Sequence, residues 1–224
     1  MRGKVIVITG GFGVLGRAAA AVTLEAGARP VLIDYAPVPE GLGDVIALGG
    51  VDLTKPDAAS AAIKAAREKG GAIDALLNIA GGFRWSKIED ADAGVWDAMY
   101  AINTKTAVNT SKAAAPHLIA VNGAIVNVGA NGALKAGAGF APYAASKAGV
   151  HKLTEALAEE LKGKVRVNAV LPSILDTAQN RKDMPNADVT TWVAPEALAR
   201  IMLFLASDLA RDITGALIPV TGRV

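Results

Sequence analysis

The chain has no cysteine and only two histidines, His117 and His151, in 224 residues. That excludes disulfides, thiol nucleophiles and cysteine-ligated metals, and it leaves too few imidazoles for an ordinary zinc centre. Charge of one sign is also lacking. There are 23 Lys and Arg against 21 Asp and Glu, a formal net charge of +2, and no run of like charges. No nucleic-acid partner and no membrane surface is therefore expected. No apolar stretch approaches the ~18 residues that cross a bilayer. The first strand-like run begins at Lys4, so no leader peptide is expected and the expected location is cytoplasmic. Repeats, low-complexity tracts and linkers are absent as well, which predicts one domain over residues 1–224.

What is present is an alternation. Short β-branched or apolar runs at 5–8, 30–34, 45–48, 73–78, 124–128, 165–170 and 216–220 read as strands buried on both faces. Between them, 14–26, 56–69, 92–118, 143–161 and 195–207 read as helices, the first stopped by Gly27 and the last opened by Pro195. The pattern predicts an α/β chain of Rossmann type: a doubly wound parallel sheet of about seven strands with helices on both faces. Residues 173–193, rich in Asp, Asn, Pro and Thr, read as an irregular substrate-facing loop beyond a strand's C-terminal end.

The first strand runs into Thr9-Gly10-Gly11-Phe12-Gly13-Val14-Leu15-Gly16 and then into a helix. Glycine there allows a tight turn, a close approach of backbone to pyrophosphate and close helix–strand packing, while the helix N-terminus offers free N–H groups. Asp34 ends the next strand, where a carboxylate accepts hydrogen bonds from the adenosine ribose and repels a 2′-phosphate. NAD(H) is the expected cofactor. Arg17, basic and close to the turn, is the counter-argument.

From Lys4 to about Val220 the chain resembles the short-chain dehydrogenase/reductase family. Gly10, Gly13 and Gly16 resemble its cofactor turn, although Val14 stands where glycine is commonest. Tyr143-Ala144-Ala145-Ser146-Lys147 resembles its Tyr-x-x-x-Lys motif. The resemblance implies that Tyr143 handles the proton, that Lys147 holds the nicotinamide ribose, and that Asn103 is a structural and proton-relay residue. It further implies cofactor contacts from Asp52 and Leu53, from Ala80 and Gly81 in Asn78-Ile79-Ala80-Gly81, and from Pro172 and Thr177, with Ser173 replacing a glycine. Residues four apart share a helix face, so Lys147 is expected beside Tyr143, lowering the phenol's pKa. Homodimers or homotetramers built on the two long helices are the implied assembly.

One position departs from the pattern. The family's serine, thirteen residues before the tyrosine, falls on Ala130 in Val128-Gly129-Ala130-Asn131. Alanine cannot hydrogen-bond a substrate carbonyl. The dihydropteridine reductase branch, which reduces a quinonoid dihydropterin with NADH, resembles this chain in lacking that serine. Leu175-Asp176-Thr177 and Asn180-Arg181-Lys182-Asp183-Met184-Pro185 are also similar to it. An activated quinonoid ring needs less help from an oxyanion donor. Asn131 is a candidate replacement donor. Phe83, Arg84 and Trp85 read equally as a lid over a flat substrate or as a subunit contact. His151 reads as packing, and Arg181 with Lys182 as a solvated face. The expected activity is hydride transfer between nicotinamide and a carbonyl, imine or quinonoid small molecule. The competing class is a dinucleotide-binding sensor that has lost the chemistry.

Overall fold

In the computed structural model, which describes residues 1–43 and 45–224, strand β1 (Val5–Thr9) is buried along its whole length. Successive side chains of a strand face opposite sides. Ile6 and Ile8 accordingly enter one apolar layer, and Val5 and Val7 the other. Such a strand is stable only if both faces are covered, and both are. On one side lie α1 (Val14–Glu25) and, late in the chain, Leu198, Ala199, Met202 and Leu203 of a C-terminal helix. On the other lie α2 (Pro56–Gly70) and residues of two long central helices.

After β2 (Arg29–Ile33) and β3 (Ile46–Leu48) come β4 (Ala75–Asn78), α3 (Ala93–Tyr100), α4 (Thr106–Ile119) and β5 (Ala124–Val128). The chain then runs through α5 (Ala141–Glu160), β6 (Arg166–Pro172), α6 (Ala178–Asp183), α7 (Pro195–Ala206) and β7 (Leu217–Val220). The seven strands form one parallel sheet in the order β3-β2-β1-β4-β5-β6-β7. This is the doubly wound arrangement read from the alternation. The strand order reverses between β1 and β4, and sheets of this kind bind ligands in the crevice beyond the C-terminal ends of the strands at that point.

Three local departures from expectation bear on function. The helix expected over 92–118 is interrupted: Asp92 caps α3 by accepting from Val95 N–H at 3.0 Å, and Ala101–Lys105 forms a π-helical turn before α4. Helix periodicity does not reveal an inserted residue that leaves the apolar faces nearly in phase. Residues 173–193 are not irregular throughout, because Thr177 caps α6 and a 3-10 turn follows at Val189–Thr191. Finally, α5 starts at Ala141, with Pro142 in its first turn, so Tyr143 lies inside the helix rather than at its end.

Candidate active site

The glycine turn lies at the switch point. Gly10 has φ +64°, and a Cβ on it would stand 2.9 Å from Ala80 N, so the turn must be bare to pass beneath the β4 exit. A Cβ on Gly16 would collide with the Gly10 carbonyl, which is why α1 can pack so close to β1. Gly13 differs: a Cβ there would meet only Gly10 O, at an ordinary 3.4 Å. No internal contact requires it to be glycine, and it leaves the outer rim of the turn bare. Gly13 is also the N-cap of α1 and offers no side-chain cap, so the first N–H groups of the helix have no side-chain partner there. Phe12, Val14 and Leu15 complete the turn, with Leu15 buried.

Asp34 stands just beyond β2. One carboxylate oxygen accepts from Phe12 N–H at 2.9 Å, the other from Ala36 N–H at 3.0 Å, so it clamps the turn from the β2 side. Arg17 donates from Nε to the Phe12 carbonyl at 2.9 Å, holding the same residue through its following peptide. Asp52 accepts from Thr54 Oγ1 at 2.6 Å, and that hydrogen bond holds its carboxyl below the usual range. Leu53 is buried in the core, and its carbonyl accepts from Asn109. The Asn78 carboxamide points inward, bonded to Ser111, Asn127 and Thr110. Thr9 Oγ1 accepts from the N–H groups of Ile79 and Ala80, fixing the β4 exit against the turn.

On the other side of the crevice α5 carries Tyr143, Ser146 and Lys147. Lys147 is buried at 5% exposure and donates from Nζ to the Val128 carbonyl at 2.7 Å; burial lowers its pKa to about 8. Tyr143 is raised to about 12, also by burial. The expected lowering of the phenol by Lys147 is therefore corrected. One N–H of the ammonium goes to a backbone carbonyl, and desolvation of the phenolate dominates. Asn103 lies in the π turn, 1% exposed. Its Oδ1 accepts from Gly82 N–H, and its Nδ2 donates to the Gly82 carbonyl and to Ser146 Oγ, each at 3.0 Å. With both amide hydrogens used, the side chain itself is a brace between the β4 exit and α5. The crevice is narrow here: a Cβ on Gly81 would lie 2.5 Å from Asn103 Oδ1 and 3.3 Å from Lys147 Nζ.

Ala130 is 3% exposed at the end of β5. Its N–H donates to His151 Nε2 at 3.2 Å, so His151 reaches the back of the site rather than merely filling the core. Asn131, half-buried, makes no side-chain hydrogen bond among the described residues. Phe83 packs edge-on against Tyr143 with centroids 4.9 Å apart, and Phe140 lies 5.3 Å from Phe83 and 6.2 Å from Tyr143. Trp85 Nε1 donates to the Ala138 carbonyl at 3.1 Å. Pro172 ends β6, and Thr177 Oγ1 caps α6 by accepting from Asn180 N–H. Ser173 Oγ donates to the Thr221 carbonyl. Arg181 pairs with Asp176 through two bonds of 2.6 and 2.7 Å. Ser146 and Phe140 escaped the sequence reading. Ser146 lies within the Tyr-x-x-x-Lys spacing and was legible in principle, whereas nothing local marks Phe140 as a neighbour of Phe83.

A cavity of about 730 Å³ lies elsewhere, between α1 and α7, lined by Met1, Val22, Arg200, Phe204 and Leu209 among others; no site residue borders it. Among the described residues no group of three or more His, Asp or Glu is placed to hold a metal ion, and no helix is long and apolar enough to cross a membrane.

Residues 4–188 match the family model described as short chain dehydrogenase. The chain is 32% identical to the 2-(S)-hydroxypropyl-CoM dehydrogenase 3 of Xanthobacter autotrophicus, over 99% of this chain and 96% of that protein. Ligand-free aldohexose dehydrogenase of Thermoplasma acidophilum superposes with a TM-score of 0.90 at 28% identity, covering 99% of this chain and 93% of that one. Carveol dehydrogenase of Mycobacterium avium, solved with NAD, gives 0.87 at 28%, covering 99% and 97%. With the parallel seven-stranded sheet, the glycine turn at its switch point and Tyr143 with Lys147 on α5, these matches make the chain a member of the short-chain dehydrogenase/reductase family of oxidoreductases.

Proposed function

We propose that the protein is an NAD(H)-dependent oxidoreductase whose preferred substrate is a flat, already activated ring of quinonoid, pteridine-like type, with simple carbonyls and imines as poorer substrates. The observation that carries this reading is Ala130 in the serine's place beside an otherwise complete Tyr143, Lys147 and Asn103 constellation.

A dinucleotide suits the residues present. The outer rim of the turn is bare at Gly13, the first N–H groups of α1 have no side-chain cap, and Asp34 keeps lone pairs free on both carboxylate oxygens. Gly10, Phe12, Gly13, Val14, Leu15 and Gly16 would cradle the pyrophosphate, and Asp34 would accept from the adenosine ribose. Asp52 with Leu53 would border adenine, and Ala80, Gly81, Tyr143, Lys147, Pro172 and Thr177 would border the nicotinamide half. The Asp34 charge disfavours a 2′-phosphate, and the Nε bond of Arg17 to the Phe12 carbonyl ties that side chain to the turn while leaving its terminal N–H groups free among the described residues.

When bound, the nicotinamide supplies or accepts a hydride. Tyr143 holds the matching proton on Oη. With its pKa raised to about 12 it stays protonated at working pH, so in the reducing direction it is a donor to the substrate atom that gains charge. Phe83 and Phe140 pack against the Tyr143 ring and offer an apolar surface that suits a planar substrate ring. Without a serine hydroxyl at position 130, a substrate that develops little alkoxide character loses least.

The test is oxidation of NADH and of NADPH across quinonoid dihydropterins, quinones, imines and ketones. Turnover of the quinonoid compounds, faster with NADH, is the expected result. Binding of NADH without turnover of any compound would instead make the protein a dinucleotide sensor.

A further inference from the structure

We propose that His151 is a positioning residue for the substrate pocket: its Nε2 fixes the Ala130 peptide, and through it the Asn131 carboxamide, in the place where the family pattern has a serine hydroxyl. The inference rests on the reductase reading above.

Helix α5 presents Tyr143, Lys147 and His151 at successive four-residue intervals along one face. Lys147 grips the Val128 carbonyl at 2.7 Å and His151 grips the Ala130 N–H at 3.2 Å. The chain leaving β5 is thus pinned at two points on either side of Gly129 by the same helix that carries the proton donor.

Three further observations fit this latch. The bond direction requires Nε2 to be an acceptor, so the imidazole is the neutral form protonated at Nδ1. Burial and the nearby Lys147 hold its pKa below the usual value; Lys152 acts in the same direction, and Glu155 opposes them. Gly129 is glycine for steric reasons alone. Its φ is not positive, yet a Cβ would lie 2.6 Å from His151 Nε2 and 2.5 Å from Leu171 Cδ2. The missing side chain makes room for the imidazole. Lastly, Ala130 is extended, at φ −158° and ψ 137°, and caps the 3-10 turn Asn131–Ala133. Fixing its peptide therefore sets where Asn131 starts.

The consequence for the pocket follows by elimination. The Ala130 N–H faces His151 and is not available to a substrate, and the Ala130 methyl donates nothing. Asn131, half-buried and with no side-chain hydrogen bond among the described residues, is the adjacent side chain able to donate at this edge. A histidine that only filled space would be replaceable by leucine. One that holds a buried N–H would be replaceable by glutamine, whose Oε1 reaches near the Nε2 position.

The experiment compares His151→Leu with His151→Gln in NADH oxidation with a quinonoid dihydropterin, together with NADH affinity, Tm and imidazole 15N shifts of the wild type. Expected results are a kcat lowered ~10- to 100-fold in H151L at near-normal NADH affinity and Tm, and recovery of most of that loss in H151Q. Equal losses in the two variants, or a loss that follows a fall in Tm, would overturn the proposal. Should H151L not fold, the wild-type tautomer decides: an unprotonated Nε2 supports the latch and a protonated Nε2 refutes it. A wild type that binds NADH but reduces no pterin would sink the substrate reading, and the tautomer would still judge His151 by itself.

Discussion

Burial raises the Tyr143 pKa to about 12, and Phe83 and Phe140 pack against its ring. Tyr143→Phe removes the phenolic hydroxyl alone, so turnover should fall by ~10²-fold or more while NADH affinity, read by fluorescence titration, changes little. Ala130→Ser restores a hydroxyl where a carbonyl oxygen would need it. Ketone reduction should rise by about 10-fold or more, with little gain for quinonoid rings, measured as relative kcat/KM. Unchanged ketone turnover would mean that the alanine is not what limits the substrate range. Burial also makes stability depend on pH. Lys147 has a folded pKa of about 8 against 10.5 unfolded, so between those values the unfolded chain binds more protons and stability rises with pH. Tyr143 acts oppositely. Its folded pKa of about 12 lies above 10, so from pH 10 to 12 the folded chain holds the extra proton and stability falls. Tm of the ligand-free protein should therefore climb from pH 8 towards 10 and then drop, and Lys147→Met should flatten the climb.

Elements are coupled by a buried polar ladder. Thr110 and Ser111 of α4 bond Asn78 of β4, Asn78 bonds Asn127 of β5, and Asn127 bonds Thr154 of α5. Every member is satisfied, and the ladder holds the helix that carries Tyr143 and Lys147 at a fixed height against the sheet. Asn78→Ala leaves the Asn127 oxygen without its donor and should cost about 1–3 kcal/mol in urea unfolding, at an unchanged m-value. The sequence marks Asn78 only as part of a turn motif, because its partners lie 32 to 49 residues away in the chain. The π turn at Ala101–Lys105 was equally invisible to periodicity. Yet it places Asn103 so that one carboxamide spans Gly82 and Ser146. π turns of this kind often mark functional positions in longer helices.

At the scale of the whole molecule, the two faces of the sheet are covered unequally in function. The α1 and α7 side packs beneath the glycine turn, and the α2, α4 and α5 side carries Tyr143 and Lys147. Assembly through α4 and α5 remains the family-based expectation. Light scattering should give twice or four times the 22.8 kDa chain mass, and a monomer at micromolar concentration would remove it.

The fold class was legible from the sequence alone, because a strand buried on both faces must be apolar at every position and its connecting helix must follow within a short turn. The glycine turn, Asp34 and the Tyr143–Lys147 spacing were legible for the same reason: each is a local constraint of backbone or helix geometry. Tertiary structure alone decided what those groups touch. It gave the Lys147 ammonium to Val128, not to the phenol, and raised the Tyr143 pKa by burial where local spacing suggested a fall. It also turned His151 towards Ala130 and gathered Phe83 and Phe140 around the tyrosine. Desolvation and long-range hydrogen bonds depend on which distant segments close over a residue, and no local pattern encodes that.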